Sequence, residues 1–178
     1  LTAALASSAF LTDLNAMITA KKIVLNIQDT SAKLLATANY ANLSKANSVI
    51  VTGTLNTLLA KDAAKLASLP GFVLSSGATL VVSDTATNLL LSANATGLLK
   101  ATSVQLTGLN NVVTAAQMTT LGGMKLFSLS ADSNISINDS YANYKIQSTT
   151  ITNYTFNYKL NLNSVALTDL AAALSSNK

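Results

Sequence analysis

Three aspartates, Asp29, Asp84 and Asp139, stand at intervals of 55 residues along the 178-residue chain. Other residues keep the same interval. Gly53 returns as Gly108, Lys45-Ala46 as Lys100-Ala101, and the run Leu66, Leu69, Phe72 as Leu121, Met124, Phe127. Leu11, Leu14 and Met17 hold that register one copy earlier. A fixed offset of this length limits the fold more than composition does. A unit that recurs within one chain buries its apolar face against its neighbours, and that is the logic of a solenoid.

The copy at 78–127 is the clearest. Residues 79–83 (Thr-Leu-Val-Val-Ser) are short, β-branched and apolar, and predict a strand. Asp84-Thr85 then offers a helix cap before residues 86–100, where Leu89, Leu90, Ala93 and Leu98 keep helical spacing. Gly97 weakens the end of that helix, and Lys100 sits where a cation complements its dipole. Residues 103–107 alternate as a second strand, and Gly108 turns the chain. A second helix is expected at 114–121, opened by Thr114 and closed by Gly122-Gly123, with a third extended piece at 126–129. The cycle restarts at Ile135.

The earlier copy predicts a strand at 23–27, the cap Asp29-Thr30, a helix near Leu34-Leu35, a strand at 49–52 and a helix at 61–69 broken by Pro70-Gly71. The third copy departs from the plan. Tyr154, Phe156, Tyr158, Leu160 and Leu162 alternate with polar residues, so strands are expected across 144–162 in place of the first helix. A short terminal helix is expected at 168–174.

The fold class expected is therefore α/β. It is an αβ-solenoid of 55-residue repeats, two strand–helix turns each, with a parallel sheet and a β-rich, atypical C-terminal repeat. Residues 1–139 hold the repeats, as a partial copy at 1–21 and copies at about 22–76 and 77–131. Residues 140–178 form a Tyr-rich β segment and terminal helix of the same domain. Leu35, Leu90 and Phe127 are expected to share the stacked interior. Because the chain opens within a repeat, it reads as a piece of something longer.

Composition narrows the chemistry. The chain is 49% hydrophobic and only 10% charged, against roughly 25% charged in an average soluble protein. Every basic residue is Lys and every acidic one Asp; Arg, Glu, His, Cys and Trp are absent. Missing Arg removes the preferred bidentate ligand for phosphate. Missing His and Cys removes the usual general base, the thiol nucleophile and most transition-metal ligands. The net charge of +4 comes from lysines scattered singly apart from Lys21-Lys22, which does not make a nucleic-acid footprint. No run of 18 apolar residues predicts a membrane span. No G-x-S-x-G elbow or phosphate loop occurs. Catalytic and cofactor-binding residues are accordingly expected to be none.

Asp29, Asp84 and Asp139 admit three readings: helix capping, a calcium site, or acid–base catalysis. Calcium needs six to eight oxygens, and the Gly-rich nonapeptide of calcium-binding β-rolls is missing. A helix cap, typically ~1 kcal/mol, already accounts for Asp-Thr before a helix. Five N-x-S/T sequons occur, and the one at Asn134, with Asp132 two residues before it, is the best glycosylation candidate. Tyr154, Phe156 and Tyr158 form a candidate interaction face, or else cover the end of the core.

The stretches 82–90 (Val-Ser-Asp-Thr-Ala-Thr-Asn-Leu-Leu), 101–108 (Ala-Thr-Ser-Val-Gln-Leu-Thr-Gly) and 113–117 (Val-Thr-Ala-Ala-Gln) resemble repeats of very large bacterial cell-surface proteins, namely S-layer-type proteins and type I-secreted adhesins. The resemblance covers about residues 23–129. It implies an extracellular, non-enzymatic role at the bacterial surface: self-assembly with copies of itself as a segment of an S-layer, sheath or filament. The alternatives are an adhesin module that binds a cell-surface glycan, and a polysaccharide-active β-solenoid enzyme.

Overall fold

A computed structural model describes residues 23–163 together with Thr12, Asp13, Ala16, Met17, Thr19, Ala20, Val165, Ala166, Thr168 and Asp169. Leu11, Leu14, Lys21-Lys22 and most of the expected terminal helix at 168–174 lie outside the described residues.

In chain order the elements are β1 (Asn26–Thr30), α1 (Ser31–Leu35), α2 (Thr37–Leu43), β2 (Ser48–Thr52), β3 (Asn56–Leu58), α3 (Ala60–Ala67) and β4 (Val73–Leu74). There follow β5 (Leu80–Asp84), α4 (Ala86–Leu89), a 3-10 turn (Ser92–Asn94), α5 (Ala95–Lys100), β6 (Ser103–Leu106) and β7 (Asn111–Val113). The last are α6 (Ala115–Gly122), β8 (Ser128–Leu129), β9 (Ile135–Ser140), α7 (Tyr141–Ile151) and β10 (Lys159–Asn163). The protein is mixed α/β.

The chain divides into two compact units: Leu1–Val82 with Thr96–Thr102, and Ser83–Ala95 with Ser103–Lys178. In the first, β1, β2 and β4 form one parallel sheet, with Asn26 opposite Ser48 and Ile50 opposite Val73. There β3 also runs parallel to β5, Asn56 opposite Leu80. In the second, β7, β9 and β10 form a parallel sheet in the order β10-β9-β7, and β6 runs parallel to β8. Its pairs Gln105 with Ser128 and Asn111 with Ile135 carry numbers 55 higher than Ile50 with Val73 and Asn56 with Leu80. Parallel pairing needs long crossovers, and the helices supply them.

Burial follows the same offset. On β2, Val49 and Val51 point inward and are fully buried; on β6, Val104 and Leu106 do the same. Ala60, Ala63 and Leu66 make the inner stripe of α3, and Ala115, Met118 and Leu121 that of α6, all at 0% exposure. Each large side chain so buried contributes roughly 1.5–3 kcal/mol of transfer free energy. Gly97 is buried because α5 passes close to α3: a Cβ there would overlap the backbone of Ala63 and Ala64.

Several expectations need correction. The first strand begins at Asn26, not Ile23. The helix expected at 86–100 is broken, because the Asn88 carbonyl accepts from Leu91 N–H and from the buried Asn94 side chain (2.8 Å) instead of continuing the ladder. Strands β3, β4 and β7 were too short to leave a period, so each 55-residue stretch holds four strands (β1 to β4, then β5 to β8); β8 lies within the third extended piece expected at 126–129, beside the two longer strands expected there. The residues at 141–151 are helical, not strands: Ser140 caps α7 by accepting Asn143 N–H at 3.2 Å, and only 159–163 is extended. Leu34 and Leu89 occupy the core, while Leu35, Leu90 and Phe127 are half-buried and Ala93 is exposed. Met17 is 43% exposed.

Candidate functional site: the aspartate and asparagine clamps

The three aspartates share one local geometry. The N-cap positions of α1, α4 and α7 are Thr30, Thr85 and Ser140, so each aspartate stands one residue before the cap. In each copy Oδ1 accepts the N–H of the cap residue at 2.8 Å. The same oxygen is held from the first turn of the helix. Lys33 Nζ lies 3.5 Å from Asp29, Asn88 Nδ2 donates to Asp84 at 2.7 Å, and Asn143 Nδ2 donates to Asp139 at 2.8 Å. A carboxylate this close to a helix start also meets the positive end of the dipole.

What completes the helix starts lies further along the chain. Helices begin with N–H groups that have no partner within the helix. Thr30 and Thr85 make no side-chain cap bond of their own. Instead Asn56 Oδ1, on β3, accepts Ser31 N–H at 3.3 Å, and Asn111 Oδ1, on β7, accepts Ala86 N–H at 2.8 Å. Asp139 Oδ2, on β9, accepts Ala115 N–H at 3.0 Å in the same manner. Each helix is thus capped by a strand residue 24 or 25 positions later.

The amide ends of these asparagines hold turns. Asn56 Nδ2 donates to Gly53 O (3.2 Å) and Thr79 O (3.1 Å). Asn111 Nδ2 is shared among Gly108 O (2.7 Å), Asn134 O (2.9 Å) and Thr107 O (3.1 Å). Both asparagines are nearly inaccessible, at 5% and 6% exposure, as is Asp84 at 4%. Gly53 and Gly108 adopt φ of 99° and 85°, which a side chain resists, and so the turn glycine and the asparagine three residues later form one device. Asn56 and Asn111 escaped the sequence reading, although they stand 55 residues apart and close to glycines already recognised as repeating. Asparagine is so common in this chain that its burial left no compositional trace.

The electrostatics suit structure more than chemistry. The Asn143 amide, with the N–H groups of Ala115 and Ser140, holds the Asp139 carboxyl below its ordinary range. An acid–base residue would call for the opposite shift or for a partner carboxylate. Among the described residues, no group of three or more His, Cys, Asp or Glu converges as a metal site. For Asp139, N–H donors engage both oxygens that calcium would require.

The aromatic residues turn inward upon their own unit. Tyr154 stacks on Phe156 (centroids 5.1 Å, 15° between planes), and Phe156 meets Phe127 edge-on at 5.5 Å. The Tyr154 ring lies against Gly122, where a Cβ would overlap it, and its hydroxyl donates to Thr119 O at 3.4 Å. Gly122 therefore serves a close approach, and Gly123 caps α6 with right-handed φ of −80°. Burial raises the Tyr154 and Tyr144 hydroxyls above the usual tyrosine range. Thr114 forms the full capping box with Gln117 at the start of α6. Asn134 is exposed, and its Oδ1 accepts Asn110 N–H at 2.7 Å.

No described helix is long and apolar enough to cross a membrane. No protein-family model, curated protein or solved structure matches the chain.

Proposed function

We propose that this chain is a non-enzymatic structural segment of a bacterial cell-surface assembly, an αβ-solenoid of 55-residue units whose copies associate outside the cell as an S-layer, sheath or filament. The recurring clamp carries the reading. The same carboxylate and carboxamide positions, 55 residues apart, take up helix N–H groups and turn carbonyls, so the chain's most distinctive polar residues are engaged in holding one segment on the next. Such units are joined by heterologous contacts, which extend rather than close. A charged fraction of 10% leaves little repulsion between copies that pack side by side.

The adhesin alternative placed its contact face at Tyr154, Phe156 and Tyr158. The rings of Tyr154 and Phe156 pack on Gly122 and Phe127, which favours end-covering over display. The enzyme alternative needed carboxylates free to exchange protons, and the Asp139 geometry speaks for a fixed anion. Negative-stain microscopy of the purified protein across a concentration series tests the assembly. Regular sheets or fibres are expected; dispersed particles at every concentration would contradict it.

A further inference from the structure

The sheet of β7, β9 and β10 carries a groove of about 310 Å³, whose lining includes Asn110, Val112, Asn134, Ser136, Lys159 and Asn161. Its floor is parallel sheet: Val112 on β7 stands opposite Ser136 on β9, which stands opposite Lys159 on β10. Some outward polar groups elsewhere pair off across strands. Ser48 Oγ bonds Asn26 Oδ1 at 2.6 Å, and Ser83 Oγ bonds Gln105 Oε1 at 3.2 Å. Among the described residues, the side chains of Asn110, Ser136, Lys159 and Asn161 make no hydrogen bond or ion pair, and the described ion pairs involve only Lys33 and Lys65. Asn134 is different in a useful way. Its Oδ1 is fixed by Asn110 N–H, itself set by the left-handed backbone of Asn110 at φ 66°, which leaves the Asn134 amide N–H groups as oriented donors.

We propose that this groove binds an acidic sugar unit of a uronate-bearing polysaccharide. The lining holds one ammonium and no carboxylate, which favours a single negative charge. Its carboxamides and hydroxyl supply donors and acceptors at the density of a hydroxyl-rich ring, and Val112, 59% exposed, offers an apolar contact for the ring's C–H face. A phosphate group would ask for Arg or several cations, and single-stranded nucleic acid for aromatic stacking platforms; neither stands here. The volume lies at the small end of ligand sites, enough for one or two sugar units. The proposal is independent of self-assembly.

Trigalacturonate, titrated into the dispersed, isotope-labelled full chain and followed by backbone amide NMR, is the test, with maltotriose as the neutral probe. Shifts are expected to cluster at Asn110, Val112, Asn134, Ser136, Lys159 and Asn161, with millimolar affinity weakened by added salt. Lys159→Ala, an exposed change that leaves the remaining spectrum in place, should weaken binding about tenfold, the effect of one lost charge-assisted contact. Asn161→Ala should weaken trigalacturonate binding without altering its salt dependence. Absence of shifts, equal response to maltotriose, shifts spread over lysines elsewhere, or a Lys159→Ala protein that binds as well as the parent would each overturn the proposal.

Discussion

Replacing Asn111 by Ala probes the clamp where it is tightest. The substitution removes the acceptor of Ala86 N–H at 2.8 Å and the donor to Gly108 O, Asn134 O and Thr107 O. The helix N–H is buried, and a buried donor without a partner costs about 1–3 kcal/mol. Asn134 and Gly108 are exposed, so water replaces much of what their carbonyls lose, whereas the half-buried Thr107 carbonyl forfeits roughly 0.5–1 kcal/mol. The sum is about 3 kcal/mol, which for a chain of this size lowers the melting temperature by roughly 6–12 °C. Asn56→Ala should follow the same course with a smaller loss, since its acceptor bond is longer (3.3 Å) and its amide holds two carbonyls. The assay is urea unfolding with the slope held constant, with Asn110→Gly, an exposed left-handed position, as the neutral control. If Asn111→Ala costs no more than that control, the clamp contributes nothing and the reasoning fails.

Three further outcomes follow from the geometry. The Asp139 carboxyl is held below its ordinary value of 3.8, so the stability it contributes is present above that value and is lost as the pH falls through its lower folded-state value; the urea midpoint of Asp139→Asn should start lower at neutral pH and fall less on acidification. Leu126, 73% exposed with φ 45°, stands where the preceding copy has Gly71 at φ 54°. Leu126→Gly should therefore stabilise by about 0.5–1 kcal/mol, while Gly71→Ala should destabilise, because a Cβ there would press on Asn47 O and Ser48. Melting temperatures measured with calcium and with chelator should coincide; a rise with calcium would return the aspartates to the metal reading.

Periodicity made the α/β class and the position of each aspartate legible, because long apolar stripes such as Leu66 with Ala63 and Ala60 repeat one copy later. Short strands were not legible: three residues such as Asn56–Leu58 carry no period, and their identity is set by parallel pairing with β5. The register of the inner face was misjudged by one residue at Leu34 and Leu89, since two adjacent leucines satisfy helical spacing equally well. Helix α7 was hidden because its Tyr, Asn, Ser and Thr content lowers intrinsic propensity, while the alternating tyrosines beyond it extended a strand pattern backwards. Its start signal, Ser140 with Asn143, was present but unread. The asparagine clamps belong to a class no local window reveals, because donor and acceptor lie 25 residues apart.

Duplicating one unit tests the account most directly. Insertion of a second copy of residues 77–131 directly after Ala131 should yield a longer protein that folds cooperatively, keeps its far-ultraviolet circular dichroism per residue, and gains about 10 Å in maximum dimension by small-angle scattering, two strand spacings for one unit. A chain that aggregates, or that carries the inserted 55 residues as unstructured polypeptide, would contradict the proposed solenoid.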